Sequence, residues 1–108
     1  MQIITIPDLN DSMVRIILDN TLYWLHFSWN SRGFWSMGIY DKDSTAVVEG
    51  IKLVPNFPLT LQYRRPQLPA GEFLVTVQDD RTDTLGREDF KNMKAALVYV
   101  TAGELHEL

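Results

Sequence analysis

Read for its apolar and polar positions, the chain is a succession of short alternating runs broken by turn residues. Residues 1–6 form a brief apolar run stopped by Pro7, and the turn-rich Asp8-Leu9-Asn10-Asp11-Ser12 follows. Runs 13–18 and 21–29 are separated only by Asp19-Asn20. Two residues of this kind between alternating runs signal a hairpin, because Asn and Asp tolerate the positive φ that tight turns need. The turn sets a register in which Leu18 faces Thr21, Ile16 faces Tyr23 and Val14 faces Leu25. One face is then continuously apolar through Phe27 and Trp29. The other carries Ile17 with Leu22, and Arg15 with Trp24 as a cation–π pair.

A second hairpin crosses Asn30-Ser31-Arg32-Gly33, inside a stretch with four aromatic residues between Phe27 and Trp35. A four-residue loop pairs Trp29 with Phe34. A five-residue loop pairs Trp29 with Trp35, Phe27 with Met37 and Leu25 with Ile39. One residue of slip exchanges the faces of the whole strand, so burial selects the five-residue loop, which keeps the large apolar groups on one side. Tyr23, Phe27, Trp29 and Trp35 then read as core, while Trp24, Phe34 and Tyr40 fall on the outer side.

After the turn 41–45, the pattern predicts a strand from Ala46 to about Val54. Pro55, Pro58, Pro66 and Pro69 suit an edge or an irregular arm better than a central strand, with 59–63 able to pair at an edge. Residues 72–78 alternate cleanly on Phe73, Val75 and Val77. Positions 79–86 read as a polar loop, 87–93 as one or two helical turns with Asp89 near the positive end, 95–101 as a last strand and 102–108 as a polar tail. The fold class is all-β: a small antiparallel barrel or sandwich of six or seven strands with at most one short helix, in a single domain spanning 1–108.

Composition narrows the function classes. Apolar residues make up 45 % and charged residues 22 %, ordinary for a globular chain. Fourteen acidic residues against ten basic ones give a net charge of −4, which argues against nucleic-acid recognition. The lack of cysteine points to a reducing compartment, and the first residues lack the basic and apolar regions of a signal peptide. Synthesis in a cytoplasm and no membrane association are expected.

Chemistry-bearing patterns are sparse. His26 lies mid-strand on the outer side and His106 near the end, without the spacing of a zinc site. Serines are present, but nothing resembling a nucleophile elbow selects one as part of a triad. The acidic stretch from Asp79 to Thr84 fails as a calcium loop, with Arg81, Thr84 and Phe90 where two ligands and a glycine belong, and reads as a turn. The glycines never cluster into a phosphate cradle. No cofactor, metal or catalytic residue is assigned.

Three blocks, taken in order, carry a resemblance: Phe27-Ser28-Trp29-Asn30-Ser31-Arg32-Gly33-Phe34-Trp35; Gly50-Ile51-Lys52-Leu53-Val54-Pro55; and Arg81-Thr82-Asp83 through Leu85-Gly86-Arg87 to Leu97-Val98-Tyr99-Val100. Together, from about Ile4 to Thr101, they resemble a family of roughly hundred-residue baseplate plug proteins of contractile-tailed phages and prophages. The family often has proline soon after the arginine–aspartate pair, where this chain has Thr82 between the two and Thr84 close by. The resemblance implies a non-enzymatic virion part at the baseplate centre, against hub, tail tube, spike or tape-measure proteins. Three or six symmetric copies are expected in such a place. It assigns no contact residues. The aromatic, basic and arm positions Trp24, Arg32, Phe34, Tyr40, Phe57 and Tyr63 are the expected partner contacts. A different reading makes Trp24, Phe34 and Tyr40 a sugar-stacking platform on a carbohydrate-binding sandwich.

Overall fold

The computed structural model describes residues 1–63, 66–78 and 85–106. Among the described residues, seven strands and one helix follow in chain order: β1 (Gln2–Ile4), β2 (Asp11–Leu18), β3 (Thr21–Trp29), β4 (Trp35–Tyr40), β5 (Ala46–Lys52), β6 (Glu72–Val77), β7 (Ala95–Val100) and α1 (Ala102–His106). They form two antiparallel sheets, a meander β2-β3-β4-β5 and a three-stranded β1-β7-β6, which share one core. The sheets do not close into a barrel, so of the two expected architectures the molecule is an open sandwich.

Both predicted hairpin registers are present. Asp19 and Asn20 adopt φ of 49° and 64°, and Leu18 pairs with Thr21, Ile16 with Tyr23 and Val14 with Leu25. Across the next loop, Trp29 pairs with Trp35, Phe27 with Met37 and Leu25 with Ile39. Asn30 organises that loop: its N–H donates to the Phe34 carbonyl at 3.1 Å, and its side-chain oxygen accepts from the Arg32 N–H at 2.9 Å. Leu25, Phe27, Met37 and Ile39 from the meander meet Phe73, Val75, Leu97 and Tyr99 from the other sheet, all fully buried. Trp35 is buried with them and Trp29 packs against it, rings 5.7 Å apart, at the edge of the core.

The helix lies elsewhere than the sequence pattern suggests. Residues 87–93 form successive turns, with one N–H, that of Asn92, donating four residues back to Glu88. Asp89 caps the Gly86 N–H through its carboxylate, and its carbonyl receives both Lys94 and Ala95, while Met93 takes a positive φ of 63°. These bonds close the segment before helix can propagate; one or two turns rarely persist without such propagation. The tail instead begins with α1. Thr101 Oγ1 accepts from the Glu104 N–H at 3.2 Å and Glu104 Oε1 accepts from the Thr101 N–H at 2.9 Å, a reciprocal capping box.

Segment 55–63 makes no strand, contrary to the edge pairing expected for 59–63. It is laid along β6 by a single parallel bridge from Pro55 to Val75 and by the Leu59 N–H donating to the Phe73 carbonyl at 3.1 Å. Beneath it, the buried carboxylate of Glu72 accepts from the Thr60 N–H at 2.9 Å, the Thr60 hydroxyl at 2.6 Å and the Phe73 N–H at 2.8 Å. The loop from Asp79 to Thr84, read as a turn, lies outside the described residues.

Candidate functional site

The outer face of the meander is where the sandwich departs from a plain alternating sheet. β5 carries two extra residues against β4: Met37 pairs with Ile51 but Ile39 with Val48, and Tyr40 with Ala46. Gly50 absorbs the bulge with φ of 77°, a conformation that L side chains resist. Glu49 is thereby aimed across β4. A Cβ on Gly38 would stand 2.2 Å from Glu49 Oε1, so only glycine lets the carboxylate pass over that strand. It reaches His26 on β3, Oε1 to Nδ1 at 3.1 Å, while His26 Nε2 meets Asp11 Oδ1 of β2 at 2.7 Å. The Tyr40 hydroxyl donates to the other Glu49 oxygen. One polar chain therefore spans all four strands.

Burial, the largest single influence on His26, lowers its pKa, but the hydrogen bonds and charges of Glu49 and Asp11 together outweigh it and leave the value raised. In the imidazolium form both ring N–H groups donate to carboxylates. The Tyr40 hydroxyl is held in its neutral form, first by the Glu49 hydrogen bond and then by burial. With both ring nitrogens engaged, His26 ties β2, β3 and β5 together.

The six expected contact residues divide into two groups. Trp24 and Tyr40 are cross-strand neighbours on the outer face, both half-buried, beside the exposed Met13 and Ile17 of β2. Arg15 stands opposite Trp24 in register, yet the two cation–ring contacts among the described residues are elsewhere: Lys52 Nζ lies 4.9 Å from the Phe34 ring centre and the Arg87 guanidinium 5.1 Å from that of Trp35. The second group gathers around Lys52 and Val54. Arg32 and Phe34 line a hollow on one side of these two residues, and Phe57 and Tyr63 line a hollow on the other. Phe57 is 54 % exposed and Leu61 59 %, so this rim presents apolar area to solvent.

The structure does not assemble the three-aromatic platform. Phe34 lies six residues from Tyr40, roughly 20 Å along a strand, and is covered by Lys52 instead.

Two residues of the recognisable blocks that the sequence reading left without a role prove to be packing elements. Leu85 is buried, and Arg87 donates to Asn10 Oδ1 at 2.7 Å and Asp8 Oδ1 at 3.0 Å while lying over Trp35. Sequence reasoning missed the Glu49–His26–Asp11 chain altogether. Its signal was the pair Gly38 and Gly50 flanking the β4–β5 turn, one needed for passage and the other for the bulge.

No curated protein matches the chain. A family model described as cyanophage baseplate Pam3 plug gp18 matches residues 1–102, nearly the whole sequence and both sheets. The chain belongs to this baseplate plug family.

Proposed function

We propose that this chain is a non-enzymatic structural subunit of a phage tail baseplate, a plug or hub-associated part that closes the tail tube near the spike. The family match over residues 1–102 carries the reading. The surface supports it. An assembly part must stay soluble alone and bury apolar area on docking, and interfaces of that kind place aromatic anchors within a polar rim. The hollows around Lys52 and Val54 fit this description, with Arg32, Phe34, Phe57 and Tyr63 as proposed contacts and Trp24 with Tyr40 as a second patch. Expected neighbours are hub, tail tube, spike or tape-measure proteins, in three or six symmetric copies. The net charge of −4 suits a part beside a DNA conduit, since it disfavours adhesion to the genome.

Electron cryomicroscopy of particles carrying this chain tests the assignment. Density for the sandwich on the central axis of the baseplate is the expected result; the chain in the head, the sheath or the fibres would overturn it.

A further inference from the structure

Every open sheet has two edges, and each edge presents unpaired N–H and C=O groups that natural proteins blunt with short strands, proline, bulges or a covering segment. Three of the four edges here are blunted. β1 has three residues and is soon followed by Pro7. β6 is covered by segment 55–59, through the Pro55–Val75 bridge and the Asn56 N–H donating to the Val75 carbonyl at 2.9 Å. β5 is broken by two register shifts and by Gly50.

Among the described residues β2 has none of these protections, only the charges of Asp11 and Arg15. It runs eight residues in unbroken register with β3, without proline, glycine or bulge. The Trp29 N–H donates to the Asn10 carbonyl at 2.8 Å, which fixes the phase of the ladder. Ser12, Val14, Ile16 and Leu18 therefore bond to β3, and Asp11, Met13, Arg15 and Ile17 turn their backbone groups outward. Each face of this edge carries apolar residues. Val14 and Ile16 sit half-buried at the rim of the core, and Met13 and Ile17 are 47 % and 60 % exposed.

We propose that β2 pairs antiparallel with β2 of a second copy of this chain, on a two-fold axis through Met13. The choice of occupant rests on charge and register. Only odd positions offer outward backbone groups, so an odd residue must face an odd residue. With the axis at Met13, Asp11 faces Arg15 of the second copy twice over, and the exposed Leu9 comes alongside the exposed Ile17. An axis at Arg15 sets two arginines face to face, and one at Val14 sets Asp11 against Ile17; both forfeit the charge match. Asp11 remains available for it, since its side chain is 76 % exposed even while Oδ1 meets His26. Half-exposed Val14 and Ile16 would then be covered on the inner face, extending the core across two molecules.

The pairing goes beyond the baseplate reading and stands apart from it. Of three or six copies, only six divides into such pairs. The contact is a single strand pair, well below the area of a standard interface, so association is weak and visible only at high concentration.

Sedimentation velocity of the full chain, from micromolar to millimolar, is the test. A reversible monomer–dimer equilibrium is expected for the unaltered chain. Arg15→Glu places a carboxylate opposite Asp11 and is expected to weaken association at least tenfold, and Asp11→Lys with Arg15→Glu in one chain restores it by exchanging the charges. Met13→Pro removes an outward N–H that β3 does not use and leaves a folded monomer, as judged by its amide spectrum. A chain that stays monomeric throughout, or one whose dimer is indifferent to Arg15→Glu, overturns the proposal. Either outcome leaves the baseplate assignment untouched, because that depends on position in the particle.

Discussion

Glu72 is the residue on which the placement of segment 55–63, and with it Phe57 and Tyr63, most plainly depends. Its Oε1 accepts from Thr60 N, Thr60 Oγ1 and Phe73 N at 2.9, 2.6 and 2.8 Å, and Thr60 and Glu72 are both buried. In Glu72→Ala these three donors lose their acceptor. A hydrogen bond to a charged group contributes about 1.5–3 kcal/mol, but the three share one atom and water partly replaces it, so about 3–5 kcal/mol is the expected loss. Against a typical domain stability of about 5–15 kcal/mol this is a large share. At about 4–8 °C per kcal/mol for a chain of this size, the melting midpoint falls by roughly 12 °C or more. Urea titration followed by tryptophan fluorescence gives the energies directly. Thr60→Val removes one of the donors, and its coupling to Glu72→Ala in a double-mutant cycle is expected at about 1.5–3 kcal/mol. Additive single effects, or a Glu72→Ala variant within about 1 kcal/mol of the unaltered protein, would refute a carboxylate that organises this segment.

Further expectations concern the outer face and the sheet junction. Gly38→Ala displaces Glu49, so the His26 pKa, raised in the unaltered protein above 6.5, falls; imidazole NMR titration measures it. Because the folded value is raised, the stability His26 contributes is complete below about pH 6.5 and is lost as pH rises through the folded pKa. Denaturation of the unaltered protein and of His26→Gln over that window should converge at the alkaline end; parallel curves would argue against the network. Gly71→Ala drives a Cβ to 2.0 Å from the Val100 carbonyl and 2.6 Å from the Tyr99 hydroxyl, so the melting midpoint drops far more than for Gly86→Ala, where the nearest atom is 3.5 Å away.

How much of this was legible in the sequence depends on the range of the interactions. Both hairpin registers follow from local signals: Asp19-Asn20 dictates one turn, and burial of Leu25, Phe27, Met37 and Ile39 dictates the other. The capping box was equally local. Thr101 and Glu104 stand three apart, yet the polar tail drew no attention beside the apparently helical 87–93. The polar chain on the outer face was not legible, since Asp11, His26 and Glu49 come from three strands and meet only through a bulge. Nor was the Glu72–Thr60 anchor, twelve residues apart in sequence, because a glutamate at the start of an alternating run reads as solvent-facing. Of the expected contacts, Trp24 and Tyr40 meet through strand pairing, whereas Phe57 and Tyr63 come near Lys52 because the Pro55–Val75 bridge, the Asn56 and Leu59 hydrogen bonds and the Glu72 anchor together hold the arm along β6.

The proposed function requires that aromatic and aliphatic surface open in the free chain be covered in the particle. Hydroxyl-radical footprinting read by mass spectrometry compares the two states residue by residue. Phe57, Leu61, Phe34 and Trp24 are expected to react in the isolated protein and to be protected in intact tails, with the exposed Met93 as an internal reference. Equal labelling of those four in both states would contradict the account.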